Sequence, residues 1–144
     1  MKLFPSSCPT PQVRVLSHPA TAVFVSHCGW NSALESVASG VPVVAWPLHA
    51  EQRANAVVLS EKAGVALRPR AARADGLIGR EEVAAAVREL MEGEKGRAVR
   101  RRTGDLRQAA DAAWAPEGSS RRAMEEVAGR WKAAALGGRA RGPW

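Results

Sequence analysis

The sequence predicts an α/β fold in which helices cover both faces of a parallel sheet. Short apolar segments alternate with helical patterns, the connections between them are short, and the apolar content of 46% is typical of a globular protein. The 144 residues are enough for one domain. We expect that domain to span 1–136, followed by a flexible tail at 137–144. No apolar run approaches the roughly 18 residues of a membrane span.

The first half of the chain alternates strand and helix. The predicted strands are short, apolar and β-branched, and they comprise AVFVS (22–26), VPVVAW (41–46) and VALR (65–68). The helix between the first two strands has Asn31 or Ser32 as its cap and ends at Gly40. A second helix covers 51–64, with Gly64 as its stop. Because strands that alternate with helices form parallel sheets, we expect all three strands to run in parallel.

The segments on either side are less regular. Residues 1–12 are rich in Pro and Ser and are predicted to be extended, whereas VRVL (13–16) fits either a turn of helix or a strand. A polar, Arg-rich connection covers 69–78. Three helices follow, and their predicted ranges are 79–92, 95–114 and 119–136, the last beginning at Ser119 or Ser120.

The net charge of +7 raises the question of nucleic-acid binding. Residues 93–144 hold 12 basic and 6 acidic residues, so most of the excess lies in the predicted C-terminal helices. Arg100–Arg102 is the only dense basic cluster there, and no aromatic residues are interleaved with it. This pattern favours a solvated helical face over a nucleic-acid site.

Cysteine and histidine usage favours a cytoplasmic protein without a metal site. Cys8 and Cys28 form no disulfide framework, and free thiols fit a reducing cytosol. The three His and two Cys residues show no metal-ligand spacing. The N-terminus lacks the apolar segment of a secretory signal.

The stretch HCGWNS joins the first strand to the helix that follows it. Ligands of open α/β sheets bind beyond the carboxyl ends of the strands, and a helix N-terminus offers free N–H groups to an anion. Gly29 allows close backbone approach, and further hydrogen-bond donors come from His27, Asn31 and Ser32. Glu35, one turn further along, would repel phosphate but could accept hydrogen bonds from a sugar diol. Together these residues predict a site for a nucleoside diphosphate with its ribose.

A simpler interpretation exists for each of these residues alone. The polar residues at the helix start could only cap the helix, and His27 could be a core residue with satisfied hydrogen bonds. A second polar cluster, PLHAEQRAN (47–55), weakens that interpretation, because it also follows a strand and opens a helix. Its Glu51 and Gln52 can bond hydroxyl groups, although an acidic residue at a helix start is common. Two polar clusters at the same edge of the sheet favour a site.

A set of short segments in the first third of the chain carries a family pattern. The segments are PQ (11–12), VLSH (15–18), HCGWNS (27–32), Glu35, GVP (40–42), WP (46–47) and EQ (51–52). With these segments, residues 9–52 closely resemble the plant secondary product glycosyltransferase signature, the nucleotide-sugar box of plant UDP-dependent glycosyltransferases. Weaker similarity continues to the last helix. Its details are similar to the hydroquinone glucosyltransferase-like branch, which glucosylates phenols.

The resemblance implies a fold, a donor and a role for each matching residue. The fold would be the C-terminal half of a GT-B fold, which pairs two Rossmann-like domains. UDP-glucose would be the donor substrate, because Gln at the last box position usually accompanies it, and no cofactor or metal is implied. The implied roles are Gln12 beside the uracil, His27 on the diphosphate, Asn31 and Ser32 on phosphate oxygens, Glu35 on the ribose hydroxyls, and Trp30, Glu51 and Gln52 facing the sugar.

Two positions in the box depart from the family pattern. The box normally opens with a Trp that stacks on uracil, and Pro9 stands there instead. Stacking of this kind is worth about 1–3 kcal/mol per base in single-strand binders, so a comparable loss of affinity is expected. Ala22 and Val23 replace the Gly pair that normally precedes Phe24.

The larger departure is length. In the family, the acceptor pocket and the catalytic His lie in an N-terminal domain, and further strands precede the box. We therefore expect the first strands to be missing and no catalytic residue in this chain. The last helix packs on the N-terminal domain in full-length members, so its apolar residues are expected to be exposed here, among them Met124, Val127, Trp131 and Leu136.

Three functions remain compatible with the sequence. The first is a glycosyltransferase domain that binds UDP-glucose for inverting transfer to a phenol-like hydroxyl, with the acceptor held by an N-terminal domain. The second is a non-catalytic remnant or a UDP-sugar-binding module. The third is an interaction protein with basic helices, which salt-dependent binding of an acidic partner to Arg100–Arg102 would favour. His18 and His49 are weak candidates for a replacement base, and neither nucleic acid nor a membrane is an expected partner.

Overall fold

The computed structural model describes residues 11–70 and 77–138, with side chains through Ala135. The chain forms two compact units, one up to Arg107 and one from Gln108 onward. Several features discussed above lie outside the described ranges. They are Cys8, Pro9, the middle of the Arg-rich connection and the end of the predicted tail.

The first unit contains a three-stranded parallel sheet in the order β1-β2-β3. The strands are β1 (Phe24–Ser26), β2 (Val43–Ala45) and β3 (Ala66–Leu67). The parallel arrangement predicted from the alternation of elements is confirmed. Each strand is shorter than predicted, and Pro42 limits β2 at its start because proline has no N–H to donate.

Within the described residues the chain forms six α-helices. They are α1 (Gln12–Leu16), α2 (Trp30–Ser39), α3 (Gln52–Val57), α4 (Arg80–Glu92), α5 (Glu94–Trp114) and α6 (Ser119–Gly138). Residues 13–16 are thus helical rather than extended. No helix in this part of the chain is long and apolar enough to cross a membrane.

The start of α2 differs from the prediction. Gly29 occupies the N-cap position, with φ −61° and ψ 141°, and the helix begins at Trp30. The expectation that Asn31 or Ser32 caps the helix is therefore wrong. Both residues lie inside the first turn, where backbone N–H groups have no partner within the helix and can face a ligand.

The predicted glycine stops are confirmed. Gly40 follows α2 with φ 72°, and Gly64 follows the second helical segment with φ 71°. That segment is not uniform, because α3 continues into a π-helical turn, Val58–Lys62. In this turn the Ala63 N–H donates to the Val58 carbonyl, five residues earlier, at 2.8 Å.

Apolar clusters cover the sheet on both faces. Successive strand residues point to opposite faces, so Val43 and Ala45 pack toward α2 and α3, whereas Val44 packs toward α4 and α5. The first cluster contains Cys28, Ala33, Val43, Ala45, Ala56, Leu59, Val65 and Ala66. The second contains Val44, Ala86, Leu90 and Val99. Helices on both faces of a parallel sheet confirm the α/β class.

The second unit holds the end of α5, a short turn and α6. Gly118 permits the turn, because a Cβ there would lie 2.2 Å from the Ala113 carbonyl oxygen. The predicted start of the last helix at Ser119 is confirmed. Large apolar side chains on α6 are exposed, including Met124 (60%) and Trp131 (73%). The helix continues through Gly138, two residues into the segment expected to be a tail.

Candidate functional site

Both polar clusters emerge at the same edge of the sheet. The register of the first two strands pairs Ser26 with Ala45, and the Trp46 N–H donates to the Ser26 carbonyl at 2.8 Å. The residues after β1 and those after β2 therefore leave the sheet side by side at its carboxyl edge. The predicted proximity of the two clusters is confirmed.

Three of the candidate residues form one hydrogen-bonded cluster. The Gln12 amide Nε2 donates to the Ser32 Oγ at 3.1 Å and to the Glu35 Oε2 at 2.7 Å. Gln12 comes from α1, which packs against α2. All three side chains are partly accessible. An ionised carboxylate has about four acceptor positions, so Glu35 can accept further hydrogen bonds from hydroxyl groups of a ligand.

The His27 imidazole lies directly over Gly29. A Cβ at Gly29 would be 2.5 Å from the His27 Nε2, so the ring occupies the space that any larger residue would need. His27 and Asn31 are both exposed, and the first turn of α2 has no acidic side chain. The helix start therefore combines backbone N–H groups, an imidazole nitrogen and an amide, all suited to an anion.

Cys28, between His27 and Gly29, has an unusual backbone. Its φ of 67° lies in the left-handed region, which a residue with a Cβ rarely adopts. Its thiol is fully buried in the core cluster under α2. Burial raises the pKa of this thiol, because an apolar surrounding disfavours the thiolate.

The second cluster is organised by Gln52. This side chain is only 6% exposed, and its Oε1 accepts hydrogen bonds from the N–H groups of Leu48 at 3.1 Å and His49 at 3.3 Å. Its oxygen thus holds the loop after β2. Glu51, the preceding residue, is exposed. Trp30, at the start of α2, is 52% exposed.

Sequence reasoning missed one residue that the structure ties to this edge. Asn55 on α3 donates its Nδ2 to the Cys28 carbonyl at 3.0 Å. It belongs to the cluster PLHAEQRAN, but its partner is 27 residues earlier in the chain. Residue type and local spacing give no signal for such a contact.

An open cavity of about 250 Å³ lies at the ends of β2 and β3, and Trp46, Pro47, Arg68 and Leu77 are among its lining residues. None of the nine candidate residues, all within the described ranges, lines this cavity. The candidate site is therefore a surface at the start of α2 rather than this cavity. Among residues 11–70 and 77–138, no group of three or more His, Cys, Asp or Glu residues could hold a metal ion.

A parallel α/β sheet with anion-binding donors at a helix start defines a class of nucleotide-binding domains. The Glu35 carboxylate beside those donors adds a group for sugar hydroxyls. Residues 9–101 match the family model described as UDP-glucoronosyl and UDP-glucosyl transferase, and the chain belongs to this family.

Individual relatives are plant glycosyltransferases. The chain is 55% identical over 123 residues to UDP-glycosyltransferase 72B1 of Arabidopsis thaliana, which covers 85% of this chain and 25% of the relative. It is 54% identical over 122 residues to hydroquinone glucosyltransferase of Rauvolfia serpentina, with 85% and 26% covered. The structure of Phytolacca americana UGT2 complexed with UDP-2fluoro-glucose and pterostilbene matches with a TM-score of 0.82, 45% identity, and 86% and 28% covered.

These similarities confirm the resemblance to plant UDP-glycosyltransferases and to the hydroquinone glucosyltransferase-like branch. The structural match confirms a Rossmann-like α/β fold that corresponds to part of a GT-B fold. The chain spans about a quarter of the length of the curated relatives that it matches.

Proposed function

We propose that this chain provides the UDP-sugar donor site of a glucosyltransferase, which transfers glucose from UDP-glucose to a phenol-like hydroxyl of a small molecule. The observation that carries the proposal is the contact of Gln12 with both Ser32 and Glu35, beside the exposed start of α2. Through this contact, the Glu35 carboxylate, which suits a sugar diol, lies within two helical turns of the donors that suit an anion.

Each candidate residue has a part in this proposal. The N–H groups of the α2 start and the side chains around them bind the diphosphate, and Gly29 leaves room for the His27 imidazole beside it. The remaining residues bind the nucleoside and the sugar. The assignments are His27, Asn31 and Ser32 to the diphosphate, Glu35 to the ribose, Gln12 to the uracil, and Trp30, Glu51 and Gln52 to the glucose.

The chemistry of this site is electrostatic. When the acceptor oxygen attacks the anomeric carbon, negative charge grows on the departing diphosphate. Donors fixed at the start of α2, among them the His27 imidazole, stabilise that charge without rearranging. The proposal needs no metal or cofactor, and it assigns no catalytic base to this chain.

The substrate part of the proposal rests on relatives. One relative is a hydroquinone glucosyltransferase, and the Phytolacca americana protein is complexed with UDP-2fluoro-glucose and pterostilbene. A cytoplasmic location is also part of the proposal. It is supported by the free, buried thiol of Cys28, which suits a reducing compartment.

Calorimetric titration of the chain with UDP tests the donor site. We expect one-to-one binding, and Glu35→Gln should weaken it about tenfold or more, because a charged hydrogen bond is worth roughly 1.5–3 kcal/mol. The double variant His27→Ala, Asn31→Ala should abolish binding.

Glu92→Gln is the matched control, since Glu92 is an exposed carboxylate at the end of α4, and this change should leave UDP affinity unaltered. A folded, monomeric chain that does not bind UDP would contradict the proposal. Glucosyl transfer from UDP-glucose to hydroquinone is then assayed with an N-terminal acceptor domain supplied in trans, which separates the donor half of a transferase from a module that only binds the donor.

A further inference from the structure

The left-handed residue in the HCGWNS loop is held at both of its peptide groups. The Cys28 N–H donates to the Ser26 Oγ at 3.2 Å, and the Cys28 carbonyl accepts from the Asn55 Nδ2 at 3.0 Å. The thiol between them is fully buried. A backbone conformation of this kind persists only when its surroundings fix it, and here side chains supply that constraint.

The conformation of Cys28 sets the direction of its two neighbours. His27 precedes it and Gly29 follows it, and the imidazole packs over Gly29 at the start of α2. If the Cys28 peptide turned to an ordinary extended conformation, the ring of His27 and the first N–H groups of α2 would no longer face the same space. Loop geometry therefore decides whether the anion donors converge.

The constraint on the Cys28 carbonyl comes from another element. Asn55 and Gln52 lie three residues apart on α3, so they occupy one face of that helix. Gln52 holds the loop after β2 through the Leu48 and His49 N–H groups, and Asn55 holds the loop after β1. One helix thus fixes both loops at the carboxyl edge of the sheet.

We propose that Asn55 is a positioning residue for the UDP-binding loop: through its hydrogen bond to the Cys28 carbonyl it maintains the left-handed turn that aims His27 and the start of α2 at the diphosphate. This inference deepens the proposed function and rests on it. Asn55 itself does not touch the nucleotide in this scheme.

The test uses the full chain in a Cys8→Ser background, so that Cys28 is the only thiol. The rate at which Cys28 reacts with a disulfide reagent measures how often the loop opens, and no nucleotide is needed for this measurement. Calorimetric titration measures the affinity of the site for UDP. In Asn55→Ala and Asn55→Leu, which lose the donor without adding charge, we expect the thiol rate to rise at least tenfold and UDP affinity to fall at least fivefold.

Three control variants separate this positioning role from a general loss of stability. Ser60→Ala removes a hydrogen bond within the same helical segment, from Ser60 Oγ to the Ala56 carbonyl, and should leave both readouts within twofold of wild type. Val99→Ala lowers stability from the other face of the sheet and should not expose the thiol. Glu35→Gln should weaken UDP binding without changing the thiol rate.

The proposal is overturned if the Asn55 variants react at the wild-type rate, or if Val99→Ala at equal stability raises the rate as much. Faster thiol reaction with unchanged UDP affinity also overturns it, since the turn would then not position the site. A wild-type chain that fails to bind UDP would refute the proposed function and with it the positioning role. The thiol rates would still decide whether Asn55 holds the turn.

Discussion

At the scale of single residues, the space above Gly29 is occupied by the His27 ring. The His27 ring fills the volume that a Cβ would need, whereas the backbone of Gly29, at φ −61°, suits any residue. Glycine is therefore required here by a side-chain contact and not by its conformational freedom. His27 is exposed, so it can swing away from a larger neighbour at little cost to the fold.

Gly29→Ala should therefore separate binding from stability. We expect UDP affinity to fall about tenfold because His27 is displaced, while the free energy of unfolding changes by less than about 1 kcal/mol. Gly104→Ala is the matched control, since nothing lies within 4 Å of a Cβ at that position in α5. It should raise stability by about 0.5–1 kcal/mol and leave UDP affinity unchanged. Equal UDP affinity in the two variants would refute the steric argument.

The buried thiol of Cys28 predicts a pH dependence. Burial raises its pKa in the folded state, so the unfolded chain loses this proton first as pH rises. The stabilising contribution is complete below the ordinary thiol pKa of about 8.5 and declines above it, by at most about 1.4 kcal/mol per pH unit. Urea unfolding of Cys8→Ser with and without Cys28→Ala, between pH 7 and 10, measures this. The stability difference between the two chains should shrink with pH, and a constant difference would contradict the expected pKa shift.

At the scale of elements, arginine side chains of α5 donate hydrogen bonds to backbone carbonyls at the C-terminal ends of three other helical segments. Arg107 donates to the Ser39 carbonyl at the end of α2, and Arg102 donates to the Ala63 carbonyl after the π-helical turn. Arg100 donates to the Leu90 carbonyl in the last turn of α4. Positive side chains at helix C-termini complement the dipole and bond otherwise unpaired carbonyls. Three arginine side chains of α5 thus form hydrogen bonds within the protein.

Arg102→Ala should destabilise the chain by about 0.5–1.5 kcal/mol, because one carbonyl at a helix end loses its donor. Arg101→Ala is the control, since Arg101 is an exposed neighbour of the same charge. Urea unfolding at low and high salt compares the two variants. Equal unfolding midpoints would show that the capping contact contributes nothing.

The elements also show what sequence could and could not predict. The alternation of strands and helices, the parallel pairing and the stops at Gly40 and Gly64 follow from apolar patterns and from glycine chemistry, which are local properties. The start of α2 was misplaced by two or three residues, because Asn31 and Ser32 are good caps by type while Gly29 has the N-cap backbone angles. The π-helical turn could not be predicted, because neither the residue types nor the spacing of Val58–Lys62 distinguishes it from an α-helix.

The candidate site also has features that the sequence could predict and features that it could not. The proximity of the two polar clusters could be predicted, because each follows a strand of a parallel sheet and therefore leaves the sheet at the same edge. The residues that hold the site could not, since their contacts join distant parts of the chain. Asn55 reaches Cys28, and Arg107 reaches Ser39, 68 residues away.

At the scale of the whole molecule, all nine candidate residues and the side chains that hold them belong to the unit that ends at Arg107. The second unit carries exposed apolar side chains, among them Trp114 (59%) and Trp131 (73%). The proposed donor site therefore lies wholly within the first unit.

The contacts made by α5 imply an order of events during synthesis. Strands pair with their neighbours in chain order, so the sheet and its carboxyl edge can form before synthesis of the chain is complete. The guanidinium groups that close α2 and the π-helical turn emerge only later, with Arg102 and Arg107. We expect stalled nascent chains to become protease-resistant only once Arg107 has left the exit tunnel, and early resistance would contradict this. Helix α5 would then stabilise a sheet and helices that have already formed.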